Sequence, residues 1–211
     1  AHQLKQPLNI LSLYCNDVKD SFFSNEINNK FIDDFSKNTK EQINFLSETI
    51  DDFRDFFNPN KQKVVFEIKS AIEKSLKFMG NQFEINRVKV NIEYKDEKVY
   101  GIEIELEQVI LNILNNSMDA FKERKIENKE INIKVLSKQS YTILIMEDNA
   151  GGVKEENLEK LFDPYYTTKS TGTGTGLYMV KLVIKNSFQG DLKINNSEKG
   201  LRYIMALPQK E

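Results

Sequence analysis

The chain has 211 residues, of which 39% are hydrophobic and 29% charged, with 30 Lys and Arg against 32 Asp and Glu for a net charge of -2. At about 150 residues per domain this suits one small and one medium globular unit, and it excludes collagen-like or disordered compositions and any whole-chain field that would recruit nucleic acid or an anionic membrane. The single cysteine, Cys15, excludes an internal disulfide and a cysteine-cluster metal site, which suits a reducing compartment. No stretch reaches the roughly 18 consecutive apolar residues of a membrane span and no export leader is visible, so a cytoplasmic location without membrane contact is expected.

The first part of the chain predicts two amphipathic helices. Leu4, Leu8, Leu11, Cys15, Val18 and Phe22 alternate at spacings of four and three, which makes one continuous helical stripe. After the polar break Ser24-Asn25-Glu26, the same alternation returns in Ile32, Ser36, Thr39, Ile43, Leu46, Ile50, Phe53 and Phe57, and it ends at Asn58-Pro59-Asn60. One hairpin shields only part of each stripe. A homodimer through residues 4–57, forming a four-helix bundle, covers the rest.

Beyond Lys61 the period shifts. A short strand at Val64-Val65-Phe66, a helix from Ser70 to Met79, a strand through Val88, Val90, Ile92 and Tyr94, and a long helix from about Ile104 to Phe121 follow in order. Two strands, Ile131-Ile133-Val135 and Tyr141-Ile143-Ile145, form a hairpin. A helix near Glu155 to Phe162, a Gly/Thr-rich loop, a helix from Gly176 to Asn186, and strands around Leu192-Ile194 and Tyr203-Met205 complete an α/β unit. The expected class is α+β: a helical hairpin over residues 1–58, then a two-layer α/β sandwich over 59–211.

Three segments carry chemistry. The loop Thr167 to Leu177 places Gly172, Gly174 and Gly176 at alternate positions, where backbone amides can approach phosphate oxygens; such a loop cradles an anion or is an ordinary flexible connection. At the end of a buried strand, Glu147-Asp148-Asn149-Ala150-Gly151-Gly152-Val153 offers a carboxylate that accepts from an exocyclic amine, or forms a plain Asp-Asn-Gly turn. On the long helix, Asn112 and Asn116 share one face, as amide ligands for Mg²⁺ or as a hydrogen-bonded pair in the core.

Together the segments resemble the Asn box and glycine boxes of the GHKL ATP-binding fold. Phe162-Asp163-Pro164-Tyr165-Tyr166 is similar to its Phe box, and Gly200-Leu201-Arg202-Tyr203 through Leu207-Pro208 to its closing strand. Ala1-His2-Gln3-Leu4-Lys5-Gln6-Pro7-Leu8-Asn9 resembles the phosphoacceptor box of sensor histidine kinases, which accounts for the whole chain. That resemblance implies ATP-dependent phosphorylation of His2 and transfer to an aspartate on a response regulator receiver domain, with ATP and Mg²⁺ as cofactors. It assigns adenine to Asp148 beside Gly152, Mg²⁺ and phosphates to Asn112 and Asn116, the nucleotide lid to Gly172, Gly174 and Gly176, a positive charge to Lys169, and further nucleotide contact to Phe162 and Leu177. Gln3 would orient the imidazole of His2, and Gln6 a water used in dephosphorylating the regulator. Because the box normally lies inside a helix, the chain is expected to be the cytosolic part of a larger, membrane-bound sensor.

Four residues depart from the family pattern. Gln3 stands where relatives carry a carboxylate, so it holds a proton on His2 but cannot take one up. Gln6 replaces Thr or Asn, Ala150 stands at the first glycine of Asp-x-Gly-x-Gly, and Asp119 stands where many kinases have a basic residue, leaving Lys122 or Lys169 to compensate. Chaperone and mismatch-repair ATPases share the fold but resemble a pattern with Glu at the position of Asn112, which disfavours a hydrolase. A GHKL serine kinase and an ATP-gated regulator phosphatase are the alternatives.

Overall fold

The computed structural model describes residues 2–24, 26–56, 62–167 and 174–210. The chain divides into two compact units, Ala1–Asn60 and Lys61–Glu211.

The first unit is a helical hairpin of α1 (His2–Phe23) and α2 (Asn29–Phe56). The amide and hydroxyl of Ser24 both donate to Asp20 O at 3.0 Å, and Glu26 N donates to Ser21 O at 2.9 Å, which closes α1 with side-chain and backbone partners. Asn28 caps α2 by accepting from Phe31 N at 3.0 Å. Within a single copy, Phe22, Ile32 and Ile43 of the apolar stripes stay largely exposed. Asn25, Phe57 and Pro59 lie outside the described residues.

The second unit is built on a five-stranded sheet in the order β2-β4-β5-β7-β6, with β2 (Val88–Glu93), β4 (Lys129–Lys138), β5 (Tyr141–Asp148), β6 (Asp191–Asn196) and β7 (Leu201–Pro208). Only the β2 and β4 pairing is parallel; the other three are antiparallel. Alternate residues on one face are buried: Ile131, Ile133 and Val135 on β4, Leu144 and Met146 on β5, and Tyr203, Met205 and Leu207 on β7. The opposite face carries Asn132, Lys134, Glu147 and Arg202, so one face is core and the other meets water. The buried side is matched by α4 (Glu103–Glu123), whose Leu106, Val109, Ile110, Ile113, Leu114, Ser117 and Phe121 are buried at helical spacing. α3 (Ile68–Asn86) packs along α4. This is the two-layer sandwich that the periodicities predict.

Several elements differ in extent. The helix expected over Ser70 to Met79 runs to Asn86, where Arg87 closes it in the left-handed conformation. A strand not predicted, β3 (Lys98–Gly101), pairs antiparallel with β1 (Val64–Glu67) as a separate ribbon. Gly101 is required there, because a Cβ would lie 2.3 Å from the ring of Phe188. The segment from Glu155 is one α turn, α5 (Glu155–Leu158), continued by a 3₁₀ turn to Phe162. α6 (Gly176–Leu182) passes into a π-helical turn, Val183–Ser187.

Candidate functional site

Asp148 is the last residue of β5 and is only 4% exposed. A carboxylate at that depth needs donors, and three are present. Ser117 Oγ on α4 donates to Oδ2 at 3.0 Å, while Ala150 N at 2.9 Å and Leu201 N at 3.3 Å donate to Oδ1. A carboxylate has about four acceptor sites, so these three leave it capacity for one further donor, an amine among them. Gly200 makes the close approach of β7 possible, since a Cβ there would stand 2.0 Å from Asp148 O. The hydroxyl of Tyr203 is pushed above the ordinary tyrosine range, first by its burial and then by the charge of Asp148.

The loop after Asp148 is held from three sides. Ala150 is buried and absent from the positive-φ residues, so a side chain is tolerated where the family pattern has its first glycine. The two glycines that follow do have positive φ, 89° at Gly151 and 65° at Gly152. Gly152 also abuts Asn196, whose Oδ1 would be 2.4 Å from an added Cβ. Asn196 clasps the loop: its Oδ1 accepts from Val153 N at 2.9 Å, and its Nδ2 donates to Val153 O at 2.7 Å and to Glu155 Oε1 at 2.9 Å. Gly151 N donates to Lys199 O at 2.8 Å. The guanidinium of Arg124 donates to Ala150 O from the end of α4. Asn149 is occupied elsewhere, donating to Asn128 O at 2.6 Å and accepting from Glu130 N at 2.9 Å.

Between this loop and α4 lies a cavity of about 250 Å³. Its lining brings together Asn112, Asn116, Asp148, Gly152, Gly174, Gly176 and Leu177 from three separate stretches of chain. Asn112 faces the start of α6, its Oδ1 lying 3.1 Å from where a Gly176 Cβ would sit. Gly174 has φ 66° and packs on the backbone of Tyr165, which donates its N–H to Gly174 O at 2.9 Å. Phe162 is not among the lining residues; Leu161 and Tyr166 are, and the Phe162 ring instead lies 5.5 Å from the Lys181 ammonium. Lys122 is likewise absent from the lining, and Arg124 supplies a cation there. Lys169 and Gly172 lie outside the described residues. His2, Gln3 and Gln6 are on the first turns of α1 in the other unit, and their side chains fall outside those described.

Among the described residues no group of three or more His, Cys, Asp or Glu could hold a metal. The amide oxygens of Asn112 and Asn116 fit a hard cation that completes its shell with water and phosphate oxygens. Sequence reading overlooked Ser117, Arg124, Asn196 and Leu201. Ser117 was within reach as the neighbour of Asn116, whereas Asn196 and Leu201 reach the site only through strand pairing.

Residues 101–211 match the family described as "Histidine kinase-, DNA gyrase B-, and HSP90-like ATPase". The chain belongs to that family. This ATPase-family chain is 27% identical over 213 residues to Sporulation kinase B of Bacillus subtilis (strain 168), covering 99% of this chain and 48% of that protein. It is 24% identical over 218 residues to the Two-component sensor PprA of Pseudomonas aeruginosa, covering 99% of this chain and 23% of that protein. The chain thus spans about half or less of the length of these relatives. Among solved structures, the Acinetobacter baumannii histidine kinase AdeS superposes with TM-score 0.69 at 19% identity, covering 100% of this chain and 99% of that one. The histidine kinase ThkA, in complex with response regulator protein TrrA, gives TM-score 0.66 at 19% identity over 100% of this chain and 60% of that one. The nucleotide unit is a histidine kinase-type, ATP-binding domain.

Proposed function

We propose that this chain is the catalytic portion of a sensor histidine kinase, which transfers the γ-phosphoryl group of ATP to His2 and passes it to an aspartate of a response regulator. The observation that supports this most is a buried acceptor, Asp148, at the floor of a cavity whose other wall carries Asn112 and Asn116. Asp148 has acceptor capacity left for the exocyclic amine of adenine, and Gly152 lets the loop backbone pass close by. Asn112 and Asn116 would hold Mg²⁺, which supplies charge neutralisation at the phosphates. Gly174, Gly176 and Leu177 border the phosphate end, and Gly172 and Lys169 belong to the same loop. Phosphoryl transfer needs positioning and charge neutralisation more than covalent assistance; neutral amides and backbone suit the positioning, and the cation they would hold suits the neutralisation.

In this reading residues 1–58 form the dimerisation and phosphotransfer hairpin and 59–211 the ATP-binding domain, in a cytoplasmic homodimer. His2 attacks through Nε2 while Gln3 accepts from Nδ1–H; solvent takes the proton that Gln3 cannot. Gln6 orients water when the phosphorylated regulator is dephosphorylated. Incubation with γ-labelled ATP tests the assignment. Acid-labile, alkali-stable label that disappears in His2→Ala, with ATP affinity unchanged, is the expected result. Acid-stable label would identify a serine kinase, and phosphate release without labelled protein a hydrolase.

A further inference from the structure

The Asp148–Val153 loop must keep a fixed distance from α4 if a flat base is to fit between them, yet two of its residues are glycines at positive φ. Two bridges cross the gap. One is at the floor, where Ser117 donates to Asp148. The other is at the rim, where Arg124 donates to the carbonyl of Ala150 and its guanidinium stands 3.2 Å from where a Gly151 Cβ would be. Arg124 is the residue that closes α4, its own N–H bonded to Ala120 O, so the side chain leaves the helix end toward the loop. A cation is favoured at that end of a helix. Among the described lining residues it is the one cation, beside the carboxylates of Asp119, Glu123 and Asp148.

Its place along the helix decides what it can serve. At about 1.5 Å per residue, Arg124 lies about 18 Å along α4 from Asn112, beyond Ser117, and therefore at the base end of the cavity. It is out of reach of groups held at Asn112.

We infer that Arg124 is a positioning residue for the nucleobase: it clamps the Asp148–Val153 loop to the end of α4 and sets the width of the base slot. The inference rests on the nucleotide reading above. Because the clamp acts at the base end, its loss weakens adenosine, ADP and ATP by the same factor. Removing one charge-assisted hydrogen bond predicts a loss of about tenfold in Arg124→Ala. Arg124→Lys keeps one charged donor and restores most of the affinity.

The experiment is calorimetric titration of the full chain and of both variants with adenosine, ADP and ATP, alongside their thermal melts. Equal weakening of all three ligands in Arg124→Ala, recovery in Arg124→Lys and a melting temperature within a few degrees of the unmutated chain support the clamp. Loss confined to ATP would make Arg124 a phosphate contact and overturn it. So would unchanged affinity, or a loss that follows a large fall in melting temperature without rescue by Lys. If the unmutated chain binds none of the three, the nucleotide reading itself fails and takes this inference with it.

Discussion

Replacing Asp148 by Asn removes the charge from the floor of the cavity while keeping its shape. The oxygen that accepts from Ala150 N and Leu201 N can remain where it is, because an amide retains one carbonyl oxygen. The new NH₂ group then takes the place of Oδ2, facing Ser117 Oγ, and the serine hydroxyl can turn to accept. Folding therefore keeps its hydrogen bonds in neutral form, and relief from burying a charge offsets part of their weakening, so a stability change of about 1 kcal/mol is expected. Base recognition has no such compensation. A donor now meets the amine of adenine and the charged acceptor is gone, a loss of about 1.5 to 3 kcal/mol, or roughly ten- to 150-fold in affinity. The carbonyl of guanine, in contrast, accepts from the new donor. Isothermal titration of Asp148→Asn with ATP and GTP should show ATP weakened within that range and the ATP-to-GTP preference reduced. ATP affinity unchanged in a variant that melts normally would refute Asp148 as the adenine acceptor.

Three other perturbations probe separate parts of the molecule. The Tyr165 hydroxyl is buried without a hydrogen-bond partner among the described residues and its ionisation is pushed up by burial, so Tyr165→Phe should raise the melting temperature by about 2–4 °C for each kcal/mol of desolvation relieved; a fall of that size in a circular dichroism melt would mean the hydroxyl is satisfied. Leu11→Glu combined with Ile43→Glu places charge in the proposed dimer seam at a cost of several kcal/mol, so light scattering should report monomers; a monomeric unmutated chain would contradict the bundle. Burial of Glu147 works to raise its carboxyl, but hydrogen bonds from Arg202, at 2.8 Å, and from Ser197 outweigh it and hold the group below its ordinary value of 4.5. Since the folded value is the lower one, this stabilisation is present above pH 4.5 and is lost as pH falls through the folded value; being partly exposed it is worth under about 1 kcal/mol. Urea melts should thus show Glu147→Gln less stable at neutral pH, with the gap narrowing as the pH is lowered below 4.5, and a gap that does not narrow in acid would rule the ion pair out as its source.

The legible parts of the sequence were those with local cause. The stripes from Leu8 to Ile43, the alternation in β4 and β5 and the buried face of α4 each follow from side-chain periodicity, and so did the fold class. Asp148, Gly152, Asn112 and Asn116 stood out as candidates because they lie in short motifs, and the structure brings them to one cavity. β3 was missed because Lys98-Val99-Tyr100-Gly101 is too short to show alternation and owes its place to β1 and the ring of Phe188. Arg124, Asn196 and Leu201 were missed for a related reason: each reaches the site across a gap in sequence, of 26 residues for Arg124 to Ala150 and 53 for Leu201 to Asp148. Their own residue types carry no signal of that. The π-helical turn at Val183–Ser187 carried no signal either; it leads into Phe188, whose ring lies against Gly101.

The position of β7 has a consequence for how the protein comes into being. It is the last of the five strands of this sheet in chain order, yet it lies inside the sheet, between β5 and β6, and its first residue donates to Asp148. During synthesis from the amino end, β5 and α4 are complete long before that donor exists, and one flank of β5 stays open until Leu201–Pro208 threads in beside it. Non-local pairing of this kind is slow relative to helix formation. The nascent chain thus passes through a stage with a formed hairpin and an unfinished sheet, in which the Asp148 carboxylate is still wet. A base that needs this carboxylate dry and fixed has nothing to hold until that strand arrives, so nucleotide capture marks the completed sheet.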